Sequence, residues 1–212
     1  MDPEIGFLYI YGMTEQSKTL PLTFHQLISN LGPLALLAGV WDGSKGHDIA
    51  PSDDRGSEEN HYRERMTFKP FGPVNNHEQT LFGLRYSTTA WRLGEEDSFH
   101  EELGYWLWDP KEKQVMRCFM IPRGVTVLAG GKVEEGAKEF VLSAVAGSPI
   151  YGICSNPFLD REFKTVRYEL RIGLEEKNVL VYDETSFLKI KGREDLFEHR
   201  DRNHLQRIAS EV

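Results

Sequence analysis

From Gly39 onward the sequence returns again and again to a period of two, and no other feature limits the fold as tightly. Between His61 and Pro70, Tyr62, Glu64, Met66 and Phe68 alternate with His61, Arg63, Arg65 and Thr67. Between Thr165 and Ile172, Val166, Tyr168, Leu170 and Ile172 oppose Arg167, Glu169 and Arg171. Successive side chains of an extended chain point to opposite faces, so this pattern marks strands with one face against a core. Leu81 to Trp91, Phe99 to Trp108, Val115 to Ile121, Val125 to Glu134, Glu139 to Ala146 and Val179 to Ile190 are strand-like too. The breaks carry turn chemistry: Asp109-Pro110-Lys111, Pro122-Arg123-Gly124, Gly130-Gly131, Glu135-Gly136 and Glu175 to Asn178. Short links of this kind pair neighbouring strands antiparallel. The chain is therefore expected to be all-β, with about ten antiparallel strands in an up-and-down barrel, because closure removes exposed edges.

One short helix precedes the strands. Thr23 is a cap, Phe24, Leu27, Ile28 and Leu31 share a helical face, and Gly32-Pro33 is the stop. This divides the 212 residues into an N-terminal extension, 1–22, and a single barrel domain, 23–212. Two stretches are expected to be long loops that act as lids at a barrel mouth, Asp48 to Glu59 and Gly147 to Arg161. Phe7 to Tyr11 is apolar and stands ahead of Met13; an edge strand, a leader and an early start codon all remain open for it.

Charge narrows the function. Against 33 Asp+Glu stand 25 Lys+Arg, a net charge of −8 with no basic block, which argues against nucleic acid and anionic membrane surfaces as partners. The longest near-apolar run, Leu31 to Val40, is half a membrane span and is interrupted by Gly32 and Pro33, so no membrane insertion is expected. Met1-Asp2-Pro3-Glu4 is acidic where a secretion signal is basic, and Cys118 and Cys154 are the only cysteines. A cytoplasmic protein with reduced thiols is the expectation.

Several chemistries can be set aside. Gly39 to Lys45 lacks the order of a phosphate loop, and His199-Arg200-Asp201 lacks the rest of a kinase catalytic loop. Ser143, Ser148 and Ser155 lack a nucleophile elbow, and Glu101 and Glu102 face opposite sides of a strand, so they form no dyad. His100 and Glu102 share a face; a hydrogen-bonded pair is preferred to a metal site. Glu64 lies on the inward face, where a buried carboxylate needs a partner; a salt link to an inward arginine is preferred to a general base. Tyr62, Met66, Phe68, Trp106 and Met120 are expected to line a closed cavity. A single imidazole can anchor a heme in an apolar slot. His204, beside Leu205 on the last strand, is the candidate axial ligand, with His199 as its rival.

Read in order, Gly39-x-Trp41-x-Gly43, Tyr62-Arg63-Glu64, Phe68-x-Pro70-x-Gly72-Pro73, Leu84-Arg85-Tyr86 before Ala90-Trp91, Phe99-His100-x-Glu102-x-Gly104-Tyr105-Trp106 and His204-Leu205 form a series. From about Leu34 to Ile208 this series resembles the nitrobindin-like, heme-binding β-barrel family, also described as fatty-acid-binding-protein-like. The resemblance implies a ten-stranded barrel with heme b in a cavity at one end. It implies His204 as axial ligand of the heme iron, Trp41 and Gly43 in the cavity wall, and an open iron face suited to peroxynitrite isomerisation. No catalytic side chain is assigned. Two alternatives stand beside heme: a heme-free carrier of a small apolar, lipid-like ligand, and a heme-independent enzyme using Glu64, His100 or Glu102 beside an inward arginine. The partner expected is a small apolar ligand, with a homodimer as a candidate assembly.

Overall fold

The computed structural model describes residues 21–175 and 178–210, so Phe7 to Tyr11 lie outside the described residues. Helix α1 runs Phe24–Asn30, where Thr23 and Gln26 form a capping box, each side chain bonding the other's backbone N–H. A 3-10 helix, Gly32–Leu37, follows directly, because Gly32 takes the left-handed conformation (φ 52°) that ends α1. Eleven strands follow among the described residues: β1 Gly39–Ala50, β2 Glu58–Asn76, β3 Gln79–Arg92, β4 His100–Asp109, β5 Gln114–Ile121, β6 Val125–Lys132, β7 Glu139–Val145, β8 Ile153–Ser155, β9 Phe163–Glu175, β10 Val179–Ile190 and β11 Phe197–Ala209. A second helix, α2, spans Pro157–Glu162.

Ten of these strands close a barrel. The antiparallel ladder runs from β5 back through β1 to β11, β10, β9, β7 and β6, and β6 pairs with β5 to shut the ring. The one weak seam is between β6 and β7, which pair only at Gly130 and Ser143; short β8 joins β6 there through Val125 to Val127. Both expected long loops are in fact partly structured. Asp48 belongs to β1 and is buried, so the first loop shrinks to 51–57, and the second contains β8 and α2. The cause is a long β1–β2 hairpin, paired out to Ala50 and Glu58, whose acidic residues read as loop by composition alone.

The apolar core fills one end of the barrel. Leu31, Leu34 and Leu37 of the helical segment are fully buried and plug it against Trp41, Trp108 and Leu205. Trp41 donates its indole N–H to the Leu37 carbonyl at 2.7 Å, and Arg207 donates to the Leu36 carbonyl at 2.7 Å. A Cβ on Gly32 would lie 2.5 Å from the Trp108 ring, so this turn must be glycine both for its φ and for the plug to seat. A smaller cluster, Leu188, Ile190 and Phe197 with Ile49 and Phe163, lies where β1, β9, β10 and β11 extend past the barrel at the opposite end.

Candidate functional site: a polar chamber inside the barrel

Strand alternation carries polar groups inward as readily as apolar ones. Above the plug, β2 turns in Glu64, β3 Tyr86 and Thr88, β4 His100 and Glu102, β5 Arg117, β9 Tyr168, β10 Tyr182 and Glu184, and β11 Asn203. Glu64, Glu102, Arg117 and Asn203 are each at most 4% exposed. Glu64, Glu102 and Arg117 border a chamber walled also by Met66, Phe68, Trp106, Leu170 and Ile172, with room for water of only about 20 Å³. Its rim is at the end away from the plug, where the side chains of His100 and Glu184 are 34% and 18% exposed.

Arg117 is the hub. Its Nη2 donates to Glu102 at 2.5 Å and to the Tyr86 hydroxyl at 3.1 Å, and its Nη1 to Glu184 at 2.7 Å and to the Tyr168 hydroxyl. The guanidinium lies against aromatic rings, with centroids 4.0 Å (Phe119), 5.2 Å (Tyr86), 5.3 Å (Trp106) and 5.8 Å (Tyr168) away. Buried charge is tolerable only when paired and hydrogen-bonded in this way. Burial pushes the Glu102 carboxyl up, but Arg117 and then His100 outweigh it and hold its pKa down to about 2. Burial likewise opposes charge on His100, whose Nε2 is 3.3 Å from Glu102, yet Glu102 and Glu184 together raise its pKa above the ordinary value.

Glu64 is not the arginine's partner; Glu102, from the adjacent side of the chamber, takes that place. Glu64 instead meets Thr88 at 2.8 Å, Tyr182 at 2.9 Å and Asn203 at 3.1 Å. Tyr182 is 2.7 Å from Tyr62, Tyr62 contacts Asp201, and Thr88 is 3.2 Å from the Arg65 carbonyl. The line Asp201–Tyr62–Tyr182–Glu64–Thr88–Arg65 carbonyl thus has five contacts, but its three hydroxyls bring only three protons. A hydroxyl donates once. Protons on the Asp201 and Glu64 carboxyls supply the missing two and give every contact a donor. Burial raises the pKa of both carboxyls, and for Asp201 the neighbouring Glu64 adds to it.

A group whose pKa is raised by folding stabilises the fold below its unfolded pKa and loses that contribution as pH rises through the folded value. Glu64 is such a group. Glu102 is the opposite case, with stability lost as pH falls from about 4.5 towards 2. Glu64→Gln, which stays neutral, is therefore expected to gain on the wild type as pH rises above the ordinary carboxylate value of about 4.5. Urea unfolding across a pH series checks this; parallel curves for the two proteins would contradict a protonated Glu64.

The expected site residues scatter. Met66, Phe68 and Trp106 line the chamber. Tyr62 is buried but acts in the hydroxyl line beside it. Trp41 is buried at the plug, and Gly43 lies in an irregular stretch of β1 where a Cβ would come 2.5 Å from the His204 carbonyl oxygen. Met120 is 58% exposed on the outer face, because inward Phe119 sets the register of β5. The expectation that Met120 lines the cavity is corrected on that ground.

His204 also points outward. Asn203 and Leu205 are both fully buried, so alternation puts the residue between them on the exposed face. The inward position next to it belongs to Asn203, and its rival His199 engages Asp48 through Nε2 at 2.7 Å. A heme placed inside would meet no free imidazole from β11, a chamber of water-sized room, and an inner surface of carboxylates around one arginine. These residues do not fit a heme ligated by His204. Among the described residues no group of three or more His, Cys, Asp or Glu is arranged to hold a metal ion.

A closed ten-stranded antiparallel barrel, plugged at one end and hollow above, defines a ligand-binding type of β-barrel. Residues 30–207 match the THAP4-like, heme-binding beta-barrel domain, and the chain belongs to that family. Among solved structures it is similar to that of Rv2717c from M. tuberculosis, with a TM-score of 0.59 and 21% identity over 85% of this chain and 96% of that one. That likeness is one of fold. No curated protein matches the chain. None of its described helices is long and apolar enough to cross a membrane.

Proposed function

We propose that this member of the family binds a small polar molecule in the chamber behind His100 and Glu184, rather than heme or a lipid-like ligand. One observation carries it: Glu64, Glu102, Arg117, His100 and Glu184, from four strands, all border the same small void. An acyl chain or macrocycle would have to displace or desolvate these polar and ionised groups without replacing their bonds, which is strongly unfavourable. Heme b on His204, and with it peroxynitrite chemistry, suits this chain less well, since its only histidines on β11 are turned outward or tied to Asp48. A cytoplasmic setting with reduced Cys118 and Cys154 is part of the same proposal.

The Met66 side chain borders the chamber, so its methyl resonance reports occupancy. Acetamide is expected to shift it saturably, while laurate and hemin leave it unchanged. A saturable shift with laurate or hemin, and none with acetamide, would overturn the proposal. The hydrogen-bonded line running through Glu64 favours one further role, a heme-independent acid–base enzyme in which Glu64 delivers a proton to the bound molecule. In that case Glu64→Gln removes turnover while acetamide still binds.

A further inference from the structure

Two N–H groups on residues that line the chamber have no acceptor in the protein. Among the buried side-chain atoms lacking a partner are Trp106 Nε1 and Arg117 Nε, in residues 1% and 3% exposed. The two residues are directly opposite each other in the β4–β5 register, both turned inward and both lining the void. Cross-strand partners have Cβ atoms roughly 5 Å apart, so their side chains share one corner of the wall. Every other polar nitrogen of Arg117 is engaged, which leaves Nε as its one free donor. Buried donors are seldom left unmet in folded proteins, and two on facing residues of one cavity indicate a common acceptor.

We propose that Trp106 Nε1 and Arg117 Nε form a two-donor seat for a single oxygen atom of the ligand, and that this ligand is a small neutral carbonyl compound of the amide type. The assignment rests on the chamber being the binding site. Charge selects the class. Arg117 is already flanked by two carboxylates, Glu102 at 2.5 Å and Glu184 at 2.7 Å, which outnumber its single positive charge. An anion at the seat would face this negative surplus, and a cation would offer the two N–H groups nothing to bond. An apolar molecule would leave both donors unmet, and a site built for a polar group rejects such analogues strongly. An amide presents an oxygen acceptor at one end and N–H donors at the other. Those donors find an acceptor at the rim in Glu184, whose bonds to Arg117 and Tyr168 both use Oε2. The resting void, with about 20 Å³ of room for water, holds about one water molecule, so a compound of acetamide's size is the upper limit and is admitted only as the rim side chains His100 and Glu184 move aside.

The seat is tested with isotope-labelled protein titrated with acetamide, acetate and methylammonium, following the indole N–H of Trp106, the Nε–H of Arg117 and the Met66 methyl. The expected result is that acetamide moves all three together, and that acetate and methylammonium bind at least tenfold more weakly. Trp106→Phe removes one donor and keeps an aromatic wall; it is expected to weaken acetamide roughly twofold to tenfold, the worth of one hydrogen bond. Its far-ultraviolet spectrum and melting curve confirm that the variant folds. If the Met66 methyl shifts while neither N–H moves, the chamber is a binding site and the seat is wrong. If acetate or methylammonium binds more tightly than acetamide, the class is wrong. If no probe moves the Met66 methyl, the chamber itself fails as a binding site and the seat falls with it.

Discussion

Arg117→Met is expected to destabilise the barrel by about 3–5 kcal/mol, the usual consequence of leaving a buried charge without its partner. For a chain of this size that lowers the melting temperature by roughly 6–20 °C. The effect comes less from lost attraction than from what stays behind: Glu102 at 4% exposure and Glu184, both deprived of their cation, with two tyrosine hydroxyls deprived of a donor. Adding Glu102→Gln and Glu184→Gln removes the stranded charge and is expected to restore most of the loss. Denaturant unfolding of the single and triple variants measures both. A single-variant loss below about 1 kcal/mol would mean that water reaches the guanidinium, as at an exposed pair.

Trp41→Ala is expected to cost about 3–5 kcal/mol, as for other buried aromatic truncations. Trp41 has no exposed surface, donates to the Leu37 carbonyl and lies 4.4 Å beneath the Arg207 guanidinium. Its removal opens a cavity at the plug and orphans that carbonyl. The variant should nonetheless bind acetamide as the wild type does below its melting transition, because Trp41 belongs to the plug and not to the chamber wall. A wild-type melting temperature coupled with lost acetamide binding would reverse that assignment.

Much of this architecture is legible in the sequence. Alternation in β2 correctly puts Tyr62, Glu64, Met66 and Phe68 inward, and the same is true of Tyr168, Leu170 and Ile172 in β9. The helix start follows from Thr23 and its stop from Gly32, because caps and left-handed turns are local chemistry. The site was harder to read, for a physical reason. Alternation gives the face of a residue but not which distant strand faces it, so the pairing of Arg117 with Glu102 rather than with Glu64 needed the closed ring. Arg117 itself was within reach, since it lies between inward Val115 and Phe119. Met120 and His204 face outward although their chemistry suits a cavity: each is one residue from a buried neighbour, Phe119 and Asn203, and a step of one turns a side chain to the opposite face. Asp48, Glu184 and Asp201 were hidden by their charge, which reads as solvent-exposed until a partner is visible.

The central claim is that the interior is a polar chamber for a small molecule, with Asn203 facing inward and His204 facing out. Hemin titrated into the purified protein, followed through the Soret band with His204→Ala and His199→Ala alongside, tests it most directly. The expected result is no saturable Soret band in the wild type and no change in either variant. A sharp band that saturates in the wild type and disappears only in His204→Ala would contradict the account.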